Sequence, residues 1–144
     1  MNTEVPEGWE RNGAHLIRFE PPNLFLTRSK GDVSADDMLR TYATMQEKID
    51  VIGPIYWISN MSEMGRMSAE ARAVKGPPGR VHDPANVLGL GIIVPSFHYR
   101  VIAQLAVKAN RLLRGDRSAL NLEFFSNEAD ARQWVEACRV KAAT

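Results

Sequence analysis

Residues 55–58, Ile-Tyr-Trp-Ile, form a continuous apolar run of residue types that favour strands. A run of this kind is typical of a central strand that is covered on both faces. Gly53-Pro54 separates it from an earlier segment, Met38 to Ile49, whose apolar residues recur at helical spacing. A central strand beside a helix with one apolar face indicates an α/β fold, and the other elements can be placed around this strand.

The chain before the central strand predicts a hairpin followed by that helix. Residues 15–20, HLIRFE, alternate well enough for a strand, and Leu24–Arg28 supplies a second strand after a turn at residues 21–23. We expect these two strands to pair antiparallel. Ser34 is a good N-cap for the helix, which should run to about Asp50.

The chain after the central strand predicts two further strands and three helices. A polar loop from Ser59 to Met67 leads to a short helix, Ala69–Lys75, with Ser68 as its N-cap. The remaining elements, in chain order, are a buried strand Val87–Val94, an amphipathic helix Phe97–Arg114, a last strand Leu120–Phe125 and a closing helix capped by Ser126. The glycines Gly89 and Gly91 indicate that a helix packs closely on the strand that contains them.

Length and composition fit a single domain over residues 1–144. Its predicted order is ββαβαβαβα, a mixed sheet of about five strands with four helices. The 18 basic residues nearly balance the 17 acidic ones, so the net charge of +1 gives no general attraction to nucleic acid. The longest apolar stretch, residues 87–95, is far shorter than the roughly 20 residues of a membrane-spanning helix. With one cysteine and no secretory signal, the expected location is cytoplasmic.

Two stretches carry a resemblance to a known family. Residues 58–72 read ISNMSEMGRMSAEAR, and residues 122–134 read LEFFSNEADARQW. Together with the order of elements, they resemble the STAS domain of sporulation anti-sigma-factor antagonists and of its bacterial single-domain relatives. The resemblance implies a non-enzymatic regulatory module that acts by binding a protein partner.

The resemblance also implies a regulatory serine. In the antagonists, an Asp-Ser pair stands at the start of a helix, and a partner kinase phosphorylates the serine to switch binding off. Ser68 matches that serine, whereas Met67 stands where the family has its aspartate. Ser68 is therefore the candidate phosphorylation site, and the alternative is that it acts only as a helix N-cap.

Polar residues that follow the predicted strands form a candidate surface for a ligand or partner. In open α/β sheets, ligands bind beyond the carboxyl ends of the strands. These positions are Ser59, Asn60, Ser62, Ser96 and His98, and the basic residues Arg100, Lys108 and Arg111 extend them toward an acidic partner. The alternative is that the polar residues only form turns and the basic ones only solvate a helix face.

No motif indicates an enzyme, a cofactor or a metal site. The pair Gly89 and Gly91 lacks the third glycine of a dinucleotide fingerprint, and residues 76–80 lack the lysine and hydroxyl of a P-loop. His15, His82 and His98 have no partner at metal-ligand spacing.

The sequence thus favours a protein-binding regulatory module with no cofactor, and it does not favour nucleic-acid binding. One alternative is a carrier or sensor for a small apolar or anionic, lipid-like ligand, held between the helix Phe97–Arg114 and the sheet. Another is a homodimer formed through part of that helix.

Overall fold

The computed structural model describes residues 5–74, 86–94, 96, 100–101, 104–105, 108 and 121–143. Its strands are β1 (Glu10–Asn12), β2 (His15–Glu20), β3 (Leu24–Val33), β4 (Ile55–Met67), β5 (Val87–Ile93) and β6 (Leu122–Phe125). Its helices with defined bounds are α1 (Ala35–Ile52), α2 (Ala69–Ala73) and α3 (Glu128–Ala143). Residues 100, 101, 104, 105 and 108 are also helical.

The six strands form one sheet in which neighbours follow the order of the chain. The pairs β1/β2 and β2/β3 are antiparallel, so the predicted hairpin is confirmed. From β3 to β6 every pair is parallel. The sheet is therefore mixed, as the predicted α/β class requires.

The sheet has one strand more than predicted, and β3 is longer than predicted. Residues 10–12 form an edge strand, with Asn12 opposite His15 across a two-residue turn that contains Gly13. An edge strand of three residues buries only Asn12, so it shows no alternation of apolar and polar residues. Lys30, Gly31 and Val33 lie beyond the predicted end of this strand at Arg28 and pair with β4.

Two apolar cores lie on opposite faces of the sheet, and the central strand β4 contributes to both. On the α1 face the buried residues are Ile17, Phe25, Tyr42, Met45, Ile49, Ile55, Trp57 and Val87. On the α3 face they are Leu24, Leu26, Tyr56, Ile58, Ile93, Ala131 and Val135. All four residues of the run 55–58 are buried, so its prediction as a strand covered on both faces is confirmed.

The helix starts show one confirmed prediction and one wrong one. Ser34 caps α1 through a capping box, because its hydroxyl accepts from Asp37 N and the Asp37 carboxylate accepts from Ser34 N. At α3 the cap is Asn127 rather than Ser126, since Asn127 Oδ1 accepts from Asp130 N at 2.8 Å. Asparagine and serine cap equally well, so the sequence did not distinguish these neighbours.

Gly89 lies where α3 packs against the sheet. A Cβ at this position would stand 2.9 Å from Trp134 Cη2 and 3.3 Å from Tyr56 Cδ1. The prediction that a helix packs closely here is thus confirmed.

We expect Gly89→Ala to lower the free energy of unfolding by about 1 kcal/mol through this clash. Urea denaturation measures the change. In a Trp134→Phe background, which removes the clashing atom, the same substitution should cost less. An equal cost in both backgrounds would show that the indole does not set the packing distance.

Several predictions fall outside the described residues. They are residues 76–80 and most of the helix 97–114, including the expected homodimer contact; on that helix Val101 is half-buried and Leu105 is 61% exposed. Among the described residues, no helix is both long and apolar enough to cross a membrane.

Candidate functional site

The carboxyl ends of β3 and β4 continue beyond the neighbouring strand β5. Pairing of β4 with β5 stops at Asn60, whereas pairing of β4 with β3 continues to Met67. We call residues 29–33 and 61–67 the ribbon extension. In the described part of the chain, residues 61–67 have a strand partner on one side only.

The ribbon extension replaces the predicted polar loop from Ser59 to Met67, and two bulges explain why the sequence looked loop-like. The first lies between the pairs Arg28↔Asn60 and Lys30↔Glu63, where β4 carries one extra residue. The Asn60 side chain accepts hydrogen bonds from Ser62 N at 3.0 Å and from Ser62 Oγ at 2.6 Å. Side-chain bonds of this local type occur both in turns and in bulges, which hides the strand.

The second bulge lies between the pairs Gly31↔Met64 and Val33↔Met67. Asp32 Oδ1 accepts a hydrogen bond from Arg66 N at 2.8 Å, which pairs a donor at the bulge. A Cβ on Gly65 would stand 2.4 Å from that oxygen and 3.0 Å from the carbonyl carbon of Gly31. Only glycine fits at position 65 without moving the backbone of β3.

Ser68 stands at the end of the ribbon extension, where β4 passes into α2. Its N–H donates to Val33 O at 3.3 Å, and its Oγ accepts from Ala71 N at 3.0 Å. The predicted N-cap role is therefore confirmed. Ser68 is half-buried and Ala69 and Glu70 beside it are exposed, so Ser68 lies at the surface of this end of the sheet.

The surface of the ribbon extension combines polar and sulfur-containing side chains. Its three methionines, Met61, Met64 and Met67, are half-buried, while Ser62 and Arg66 are exposed. Glu63 pairs with Lys30 across the ribbon. Methionine adapts its shape to different partners, and such residues are common on protein-binding surfaces.

The predicted surface residues are distributed over two regions. Ser59 is buried inside β4, while Asn60 and Ser62 form the first bulge. Ser96 and Lys108 are exposed, and Arg100 is half-buried and donates from Nη1 to Val94 O at 2.9 Å. His98 and Arg111 lie outside the described residues. A common surface formed by all eight stays a prediction.

A buried polar cluster between β1, β2 and α1 was missed by the sequence reading. His15 Nδ1 accepts from Lys30 N at 2.9 Å, so Nε2 carries the proton and donates to Asp37 Oδ2 at 3.0 Å. Asn12 donates to Thr41 Oγ1 at 2.8 Å and accepts from Arg40 Nε at 2.9 Å. These contacts join the β1–β2 hairpin to the first two turns of α1.

Asp37 receives most of the hydrogen bonds in this cluster. Burial raises the pKa of Asp37, but hydrogen bonds from Ser34 and His15 outweigh burial and lower it below its usual value. Because the folded pKa is lowered, the carboxylate contributes stability above its unfolded pKa of about 3.9. That contribution is lost as the pH falls through the folded pKa.

We therefore expect the free energy of unfolding to fall below about pH 4. Part of this fall should be absent in Asp37→Asn. A second part belongs to Glu20, whose pKa is lowered mainly by hydrogen bonds from Arg132 at 2.7 and 2.8 Å. Urea denaturation at pH 3 and pH 6 measures the free energy of unfolding of the wild type and of Asp37→Asn at each pH. An Asp37→Asn variant with the acid sensitivity of the wild type would contradict this assignment.

The described residues contain no group of three or more His, Cys, Asp or Glu side chains that could hold a metal ion. The two ring nitrogens of His15 are both engaged in hydrogen bonds. Cys138 is half-buried against the α3-face core.

Comparison with known protein structures identifies the fold. No protein-family model and no curated protein sequence matches the chain. A crystal structure of an uncharacterised DUF3478-family protein with a SpoIIAA-like fold, from Shewanella loihica PV-4, matches with a TM-score of 0.60 at 15% identity. That match covers 84% of this chain and 91% of the other.

A second structure, the anti-sigma factor antagonist SpoIIAA in its unphosphorylated form, matches with a TM-score of 0.51 at 14% identity. It covers 85% of this chain and 98% of the other. The chain has a STAS-like fold. The predicted resemblance is thus confirmed for the fold. At 14% and 15% identity the likeness concerns the fold and not the activity.

Proposed function

We propose that this STAS-like chain is a non-enzymatic regulatory module that binds a protein partner through the ribbon extension. The observation that carries the proposal concerns β4 at residues 61–67. The edge of this segment that faces away from β3 has no strand partner among the described residues. Such an edge presents backbone N–H and C=O groups that an extended segment of a partner can pair with. The neighbouring methionines supply adaptable apolar contact.

Ser68 is the regulatory position in this proposal. It adjoins Met67 at the end of that edge, and its hydroxyl lies at a helix start with exposed neighbours. Phosphorylation would add a charge of about −2 beside the edge. A partner segment that packs on the methionines would then lie beside the hydrated phosphate, so phosphorylation would weaken its binding. The resemblance to antagonists with a regulatory serine supports the same role.

The matched variants are Ser68→Asp and Ser68→Ala. Aspartate caps a helix as well as serine does, so Ser68→Asp adds charge while it keeps α2. Alanine removes the hydroxyl without adding charge and costs about 1 kcal/mol of helix stability. Ser126→Asp is the control, because Ser126 is an exposed serine beside another helix start, that of α3.

The test is affinity capture from extracts of the source cells, with each captured protein quantified by mass spectrometry against the wild type. We expect at least one protein whose capture falls tenfold or more with Ser68→Asp and is kept with Ser68→Ala and Ser126→Asp. Equal capture by the wild type and Ser68→Asp would contradict the regulatory role of Ser68. Equal capture by the wild type and Met64→Asp would contradict partner binding at the ribbon extension.

A further inference from the structure

A small cavity lies between the N-terminal turn of α1 and the sheet, and it has a volume of about 50 Å³. Its walls are largely apolar and are formed by Ile17, Val33, Met38, Trp57, Met61 and Met67. The methionines among them are half-buried, so each also keeps some surface in contact with solvent. A single water needs roughly 10 to 15 Å³ of such space, so the cavity has room for more than one.

The floor of the cavity is polar. Thr27 and Ser59 are register partners on β3 and β4, so their side chains lie next to each other on the α1 face. Ser59 is 4% exposed, and the structure gives its hydroxyl no hydrogen-bond partner among the described residues. Thr27 Oγ1 accepts from Trp57 Nε1 at 3.0 Å and keeps its own proton to donate. The floor therefore offers hydroxyl groups with unused hydrogen-bonding capacity.

The acidic side chain at the cavity is already paired, because Asp37 pairs with Arg40 and with His15. Arg28 also borders the cavity, but it follows Thr27 in β3 and its guanidinium pairs with Glu128 of α3, on the opposite face of the sheet. Among the described residues, an ionic ligand would therefore meet no unpaired counter-charge on the α1 face, and its burial would be costly. A neutral ligand with one hydrogen-bonding group meets no such cost.

We propose that this cavity binds a small neutral amphiphile. Its hydroxyl or carbonyl head would bond to Ser59 and Thr27, and its short apolar body would lie against the methionines. Each methionine has three rotatable bonds, so the side chains can shift to admit a body slightly longer than the present volume allows. The cavity shares Met61 and Met67 with the ribbon extension but lies on the α1 face of the sheet and not at the backbone edge of β4. Alcohol binding is measured without a protein partner, so its failure and the failure of the proposed function are distinguishable.

The test uses ethanol, 1-propanol and 1-butanol as probes on protein labelled at the methionine methyl groups. We expect saturable NMR shifts at Met38, Met61 and Met67, with affinity that increases from ethanol to 1-propanol. Met45 and Met64 are internal controls, because neither lines the cavity. Their methyl shifts should stay small.

Ser59→Ala should weaken binding of 1-propanol about fivefold, through loss of one hydrogen bond. Thr27→Ser, which keeps the second hydroxyl, should bind within twofold of the wild type. Xenon, which needs no hydrogen bond, should still shift the same methyls in Ser59→Ala and so show that the cavity has stayed intact. Shifts that rise linearly in all five of these methionines, or equal 1-propanol affinity in Ser59→Ala, would overturn the proposal and leave a cavity that holds water alone.

Discussion

Replacing His15 by alanine is expected to lower the free energy of unfolding by about 3 kcal/mol. The ring is buried and pairs with two groups, the Lys30 N–H at Nδ1 and the Asp37 carboxylate at Nε2. Alanine leaves the N–H and the carboxylate without this partner and opens a void between the hairpin and α1. Equilibrium urea unfolding measures the loss.

The control for His15 is Asp36→Ala. Asp36 is an exposed acidic residue in the same first turn of α1. Its removal should change the free energy of unfolding by less than about 0.5 kcal/mol. A loss within that same range for His15→Ala would mean that the hairpin and α1 are held together by apolar packing alone.

Gly65→Ala is expected to lower the free energy of unfolding by about 2 kcal/mol and to disturb the ribbon extension first. The added Cβ meets the Asp32 carboxylate and, at 3.0 and 3.1 Å, backbone atoms of Gly31 and Asp32, which cannot rotate away as a side chain could. The strands must separate at the second bulge, which also weakens the bond from Arg66 N to Asp32. Hydrogen exchange should therefore accelerate in residues 61–67 before it does in β2 or α3.

Met64→Ala is the matched control for Gly65→Ala. It changes the neighbouring side chain without adding an atom near the backbone of β3. We expect exchange in residues 61–67 to stay within about twofold of the wild type, as for a substitution away from buried or strained positions. Uniform acceleration across the whole chain in Gly65→Ala would show that the bulge is not an independent unit.

Local signals in the sequence were sufficient for much of the fold. The Ser34 cap, the buried run 55–58 and the close packing at Gly89 each depend on residues that are near in sequence or on a single missing side chain. From β2 onward, the order of the described strands and helices followed from these signals. The resemblance to STAS domains was correct for the fold because a whole order of elements had to agree.

The parts that were missed depend on residues distant in sequence. The strand character of 59–67 arises because β3 supplies a partner and Asp32 pairs the bulge from 34 positions away. His15 and Asp37 are 22 positions apart in the sequence and are brought together by the packing of the hairpin on α1. A signal was present in Gly65, since glycine within a strand often marks a bulge or a close backbone approach. That a single domain spans residues 1–144 stays a prediction.

The central claim is that a protein partner binds at the ribbon extension and that Ser68 controls it. The most direct measurement places a photo-crosslinking amino acid at Met64 in the source cells. Control probes replace Val51 and Val140, which are 84% and 64% exposed and lie on α1 and α3. We predict a discrete crosslinked protein from position 64 alone, lost when Ser68→Asp is added. The same products from all three positions, or a position-64 product unchanged by Ser68→Asp, would contradict the claim.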